Sequence, residues 1–246
     1  MAFETSTTTF GGNVPQRAPA FSWSYSKLKN FRSCAKRHFH YDIAKDVVEE
    51  KSEALAHGDE VHHAMHLRIA KGTPLPGLLN QYEPYVQEFL KGADQPGVTL
   101  LVEQKFAIDR NYKPCGWFDK RNVWFRAIAD AVKLVGNVAV NWDWKTGQPP
   151  STKGQKDDPL QILTAAACIF AYHPQIEAIR NEFIWLDYGM KTRADLKRHQ
   201  LPELWASIAP EVREYEHALA TGTFPPKKNG LCRGHCGVTS CQYHGG

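Results

Sequence analysis

Phe125-Arg126-Ala127-Ile128-Ala129-Asp130-Ala131-Val132-Lys133-Leu134-Val135, then Gly136-Asn137, then Val138-Ala139-Val140-Asn141-Trp142-Asp143-Trp144-Lys145 is the stretch on which the fold turns. Two β-rich runs separated by Gly-Asn predict a two-residue hairpin, with Gly136 taking the positive φ of a type II′ turn. That turn sets the register: Val135 pairs with Val138, which places Asp130 opposite Asp143. Opposed side chains share a face with Cβ atoms about 4.5–5.5 Å apart. Lys145, two residues after Asp143, joins them, while Val138, Val140, Trp142 and Trp144 take the other face, read here as the core face. Opposed carboxylates repel, so a sheet alone gives no reason for the pair. A divalent cation between them turns that cost into a site, and carboxylate oxygens are the hard ligands that Mg²⁺ or Mn²⁺ takes. A cation there makes a water more acidic, and Lys145 can orient that water or meet charge developing on a phosphate. The implied chemistry is phosphodiester hydrolysis. The plain alternative is two surface aspartates beside a turn, with Lys145 as a salt-bridge partner.

Outward from the hairpin, the pattern alternates between helix and strand. Helices are predicted over about 24–41 (Ser24 or Ser26 as cap, Leu28, Phe31 and Cys34 on one face), 53–70, 80–91, 159–172 and 201–220. Strands are predicted over 98–108, 117–118, 123–135, 138–144 and 178–186. Residues 1–20, rich in Thr, Gly and Pro without periodicity, read as a disordered tail, and 21–246 as one domain. This order suggests an α/β (α+β) domain around a mixed central sheet.

Composition closes off several classes. With 23% charged and 42% hydrophobic residues the 246-residue chain is neither a disordered polymer nor a coiled coil. Its most apolar run, 162–172, is shorter than the ~18 residues that a membrane span needs. The N-terminal Met1-Ala2-Phe3-Glu4 lacks the basic and apolar regions of a signal peptide, so the reading is cytoplasmic, with thiols reduced. A net charge of +4 does not by itself imply a polyanion partner, but residues 26–40 carry Lys27, Lys29, Arg32, Lys36 and Arg37 with no acid among them.

Taken together these residues resemble the PD-(D/E)XK nuclease superfamily, in its RecB-like or Cas4-like exonuclease branch. Ser24-Tyr25-Ser26-Lys27-Leu28 through Tyr41 is similar to the opening helix of that branch, and Gly58-Asp59-Glu60-Val61-His62 to its Gly-x-x-x-His motif. Asp130 matches the first catalytic Asp, and Asp143-Trp144-Lys145-Thr146-Gly147 resembles the Asp-Tyr-Lys-Thr-Gly signature. Gln161 opens a Gln-x-x-x-Tyr-like motif whose Tyr position holds Ala165. The resemblance implies a restriction-endonuclease-like mixed sheet flanked by helices. It also implies a Mg²⁺ or Mn²⁺ ion held by His62, Asp130, Asp143 and the Trp144 backbone carbonyl. Catalysis would fall to Asp130, Asp143, Lys145 and Gln161. Glu103-Gln104-Lys105 is a competing Glu-x-Lys triplet, ranked second because its only nearby acid, Asp94, lies in a predicted loop; Glu103 also resembles an additional acid on the first core strand. Lys27, Arg32, Lys36 and Arg37 become candidate DNA-phosphate contacts.

Cys232, Cys236 and Cys241 crowd a Gly-rich tail over 222–246 that also holds His235 and His244, and in a reducing compartment such a group reads as a metal or cluster site. With Cys34 they resemble the four thiolates of a [4Fe–4S] cluster found in some relatives, which would dock the tail on the N-terminal helix. Their gaps differ from the usual pattern, and a Zn²⁺ site is the alternative. The function expected is thus a metal-dependent DNA exonuclease acting in recombination, repair or phage DNA processing, on single strands or duplex ends, with a helicase or recombination partner. The alternative is a catalytically silent DNA-binding or scaffold subunit with a structural Fe–S or Zn site.

Overall fold

A computed structural model describes residues 21–48, 52–150 and 158–246; the tail expected over 1–20 lies outside them. Among the described residues six α-helices and six strands follow in order: α1 Tyr25–Ser33, α2 Ala35–His38, α3 Glu53–Lys71, α4 Glu83–Leu90, β1 Val98–Ile108, β2 Phe125–Val135, β3 Val138–Lys145, α5 Leu160–Tyr172, β4 Ala178–Trp185, β5 Met190–Arg193, β6 Leu196–Lys197 and α6 Leu201–Thr221. The sheet runs β1-β2-β3-β4-β5, with β6 also on β4; β3 and β4 are parallel, joined through α5, and the other pairs are antiparallel. This is the mixed, helix-flanked sheet that the sequence predicts.

The central hairpin has the expected register. Val135 pairs with Val138 and the ladder continues to Ala131–Trp142, one step short of Asp130 and Asp143. Gly136 has φ 57°, which a side chain would resist. Both sheet faces are covered, which corrects the assignment of the core to a single face. Trp142 and Trp144 pack with Val61 and Met65 of α3 and Phe89 of α4, while Ala139, on the opposite face, joins Ala166, Ile169 and Phe170 of α5, with Ile208 and Val212 of α6. The reason is the parallel β3-α5-β4 connection, which lays a helix over the face opposite the tryptophans.

Local chemistry explains the other departures. The first predicted helix stops at Ser33 because Cys34 is extended (φ −164°, ψ 110°); α2 follows, then a π-helical turn over Phe39–Ala44 ending at Lys45 with φ 55°. Ser24 caps α1 by accepting from the Lys27 amide. Trp117-Phe118 is a turn and not a strand, because Asp119 accepts from the Arg121 and Asn122 amides and bends the chain there. The helix expected from 80 begins as a 3₁₀ turn over Gly77–Tyr82. β5 and β6 carry no apolar alternation and are new.

At Glu103 the β1–β2 ladder is interrupted. The pairs Val102–Ala131 and Gln104–Ala129 flank a gap where Glu103 faces Asp130, and Glu103 has φ 49°. The alternation changes face across that gap in both strands. Leu101, Val132 and Leu134 pack into the α5–α6 core on one side of it, and Phe106, Ile108, Phe125 and Ala129, of the opposite parity, do so on the other. The sheet therefore carries a built kink at these two acids.

Candidate active site

Three acids from three adjacent strands meet at the kink. Glu103 is opposite Asp130 in β1–β2, and Asp143 is next in line on β3. Asp130, buried, accepts at Oδ2 from the Trp144 amide at 2.9 Å, so a carboxylate takes the place of a ladder bond just where the β2–β3 pairing ends. From α3, His62 reaches across: Nε2 donates to the Trp144 carbonyl at 3.0 Å, and Nδ1 lies 3.4 Å from Asp130 Oδ2 and 3.8 Å from Glu103 Oε1. Burial disfavours charge on this ring, but Asp130 and Glu103 outweigh it and push its pKa up to about 10. Without an ion the imidazole thus favours its charged form; to serve as a ligand it must give up a proton, which a divalent cation held by the same carboxylates would favour.

On the α5 face a second group closes on itself. Gln161 Nε2 donates to Asp143 Oδ1 at 3.0 Å, Lys145 Nζ donates to Gln161 Oε1 at 3.1 Å, and Lys145 Nζ is 2.5 Å from Asp143 Oδ2. Apart from that ion contact, Asp143 Oδ2 is a buried oxygen without a hydrogen-bond partner. Burial, and next the charge of Asp130, hold the Asp143 carboxyl above the ordinary carboxylate range, against the opposing pull of Lys145.

His62, Glu103 and Asp130 offer ligand atoms all within 4.8 Å of one another. This donor set, with the Trp144 carbonyl and the unmatched Asp143 oxygen, fits a hard divalent cation. The ligand group therefore centres on Glu103 more than the sequence reading allowed, because Glu103 lies across from Asp130 and not beside Asp94. His63, the next residue of α3, is exposed and lines a surface cavity together with His62 and Glu103. A cavity of about 660 Å³ opens beside Asp130, Asp143 and Gln161.

The sequence profile of the PD-(D/E)XK nuclease superfamily matches residues 22–244. The chain belongs to that superfamily. No curated protein matches the sequence. Among solved structures, SSO0001 is 14% identical with a TM-score of 0.44, covering 94% of this chain and 90% of its own. A protein described as a candidate exonuclease from Eubacterium rectale is 14% identical with a TM-score of 0.48, covering 94% of this chain and 93% of its own. The sheet kink and the Asp143-x-Lys145 strand thus sit within a nuclease of this superfamily.

The basic stretch of this nuclease is divided. Lys27 lines the 660 Å³ cavity. Arg32 instead contacts Asp158 at 3.5 Å and Glu211 at 3.1 Å. Lys36 donates to the Ser240 carbonyl at 3.4 Å, and Arg37 lies over the Tyr41 ring at 4.2 Å. The structure therefore does not bring the four candidate phosphate contacts together. Cys34, Cys232, Cys236 and Cys241 are free thiols around one small space of about 10 Å³, and backbone N–H groups of Lys227 and Asn229 point at Cys34 (3.4 Å) and Cys232 (3.5 Å). The segment from Pro225 to Gly237 lies on α1, α2 and the π turn: the Lys36 amide donates to the Pro225 carbonyl, Asn229 to the Ser33 carbonyl at 3.0 Å, and the Gly237 amide to the Tyr41 hydroxyl at 2.7 Å. Among the described residues no helix is long and apolar enough to cross a membrane.

Proposed function

We propose that this nuclease is a metal-dependent DNA exonuclease that hydrolyses phosphodiester bonds, and the observation carrying this reading is the Lys145–Asp143–Gln161 triangle set against the His62–Glu103–Asp130 group. Asp130, Asp143, Glu103, His62 and the Trp144 carbonyl would hold Mg²⁺ or Mn²⁺. When bound, the ion supplies charge that offsets the three carboxylates and acidifies a water for attack. Lys145, with Asp143 and Gln161 fixing its ammonium, orients the attacking water and meets charge developing on the phosphate. Gln161, at the start of α5, keeps Lys145 and Asp143 in one geometry and can contact the strand. Lys27 and its neighbour Lys29 supply positive charge beside the cavity. Recombination, repair or phage DNA processing are the settings such an activity suits, with a helicase supplying unwound ends.

Linear and circular DNA separate end-directed from internal cutting. With Mn²⁺, end-labelled linear DNA should release short labelled products while covalently closed circular single strands persist at least ~10-fold longer. Circles cut as fast as linear strands would replace the exonuclease reading with an endonuclease.

The four cysteines carry a proposal of their own, a [4Fe–4S] cluster. The donor set supports it: four thiols face one space, and two receive backbone N–H groups of the kind that tune cluster thiolates. A four-thiolate zinc site, with Zn–S near ~2.3 Å, requires sulfurs about 3.8 Å apart. Among the described residues no three of these sulfurs come within 4.8 Å of one another. Protein purified without oxygen should contain iron and acid-labile sulfide in equal amounts, both lost in Cys232→Ser with a lower melting temperature. Zinc in their place would support the alternative site.

A further inference from the structure

The 660 Å³ cavity extends well beyond the catalytic group, and the residues lining its far wall have no part in the reaction. It shares Asp130 and Asp143 with the site, then runs between the start of α1, the first half of β2 and the turn at Gly116–Asp119. Ala127, Ala129 and Ala165 line it with methyl groups only, so it stays wide. Trp117 lines it from the turn, half-buried, beside Ile128, which is 44% exposed. Lys27, Lys29 and Arg126 add three cations.

The main chain at Trp117 is held in place before any ligand arrives. Arg126 Nε donates to the Trp117 carbonyl at 2.9 Å, and Arg126 Nη1 donates to Ser22 Oγ at 2.9 Å, which fastens the turn to both β2 and the segment preceding α1. The guanidinium of Arg126 and the ammonium of Lys105 lie 5.8 and 5.7 Å from the indole centroid. The main chain of the turn is thus fixed and two cations flank the ring, so less freedom is left to lose on binding, which favours the indole as a contact surface.

A flat apolar ring, a wide pocket and flanking cations, all next to a site for a scissile phosphate, match the parts of one nucleotide. The volume falls in the range of small-molecule sites. We propose that the cavity receives the base of a single unpaired nucleotide adjoining the scissile phosphate, stacked on Trp117, with Lys27 and Arg126 beside its backbone. A paired base has its edge and both faces already occupied and does not enter. The inference rests on the nuclease reading for the position of the scissile phosphate, and it makes Trp117 a specificity-determining residue outside every motif noted in the sequence.

The test is binding of fluorescein-labelled oligothymidylate with Mg²⁺, using the full chain carrying Asp143→Asn so that no strand is cut. A series of oligonucleotides moves one abasic position along the strand. One position should weaken binding about tenfold, in the range typical of a base stacked on an aromatic side chain. Adding Trp117→Ala or Trp117→Leu should weaken the intact oligonucleotide by the same factor and abolish the abasic penalty, whereas Trp117→Phe should keep both affinity and penalty. Leu preserves apolar bulk, so agreement between Ala and Leu separates stacking from folding. A penalty that survives in Trp117→Ala and Trp117→Leu, or no positional penalty with Trp117 present, overturns the proposal. Failure of the wild-type chain to cut any DNA would sink the nuclease reading alone, because the binding series still decides whether a base occupies the cavity.

Discussion

Asp143→Asn is expected to reduce metal-dependent DNA cleavage at least about 10³-fold while raising the melting temperature of the metal-free protein. The two effects have one cause. Asp143 is buried at the end of β3, faces the charge of Asp130, and has one oxygen without a directed donor. Its carboxyl is held above the ordinary range, so the folded state binds its proton more tightly than the unfolded chain does. Stability contributed by such a group falls as pH rises from the unfolded pKa through the folded one, and at neutral pH the buried charge is a cost. Asparagine removes that charge and can still accept from Gln161 Nε2 at Oδ1, which relieves the metal-free protein and removes a ligand. Thermal melting with and without Mn²⁺ reads both consequences: wild type should gain stability with the ion and the variant should gain little. A variant that melts lower than wild type in chelator would show that Asp143 is structural and not held in place against a cost.

Substitution of Glu103 is the second large effect. Glu103→Gln should lower cleavage about 10²-fold or more, since it neutralises an acid within reach of His62 and Asp130. Glu103→Gly should lose as much activity yet melt no lower than the Gln variant. A non-glycine residue at φ 49° bears a cost of about 1 kcal/mol, and glycine removes it. If instead the Gly variant melts several degrees below the Gln variant, the Glu103 side chain contributes packing that outweighs its backbone strain.

The hairpin was legible because its turn is two residues long. Gly136-Asn137 ties β2 to β3 so closely that the register follows from the turn, and with it the common face of Asp143 and Lys145. The β1–β2 register was not legible in the same way. The connection over 109–124 is long, contains a turn that resembles a strand, and leaves the pairing of β1 free of any local signal. Glu103 could therefore be ranked only second, although it stands opposite Asp130. A left-handed glutamate inside a strand has no sequence mark, and neither does the change of face at the kink. The helices were read from their periodicity, but α1 stops where Cys34 becomes extended, a choice tied to distant residues 225–237. The clustered cations of 26–40 read as one surface; in three dimensions Arg32 is taken by Asp158 and Glu211, and Lys27 alone of the four candidate contacts lines the cavity beside Asp130 and Asp143.

The central claim is that Glu103, Asp130, Asp143 and Lys145 cut DNA through a bound divalent cation. The most direct measurement follows one reaction: wild-type protein and end-labelled single-stranded DNA in Mn²⁺, with excess chelator added midway and Mn²⁺ restored later. Cleavage should stop on chelation and resume at its earlier rate on restoration, with Asp143→Asn inactive throughout. Cleavage that continues in chelator, or that persists in the variant, would contradict the account.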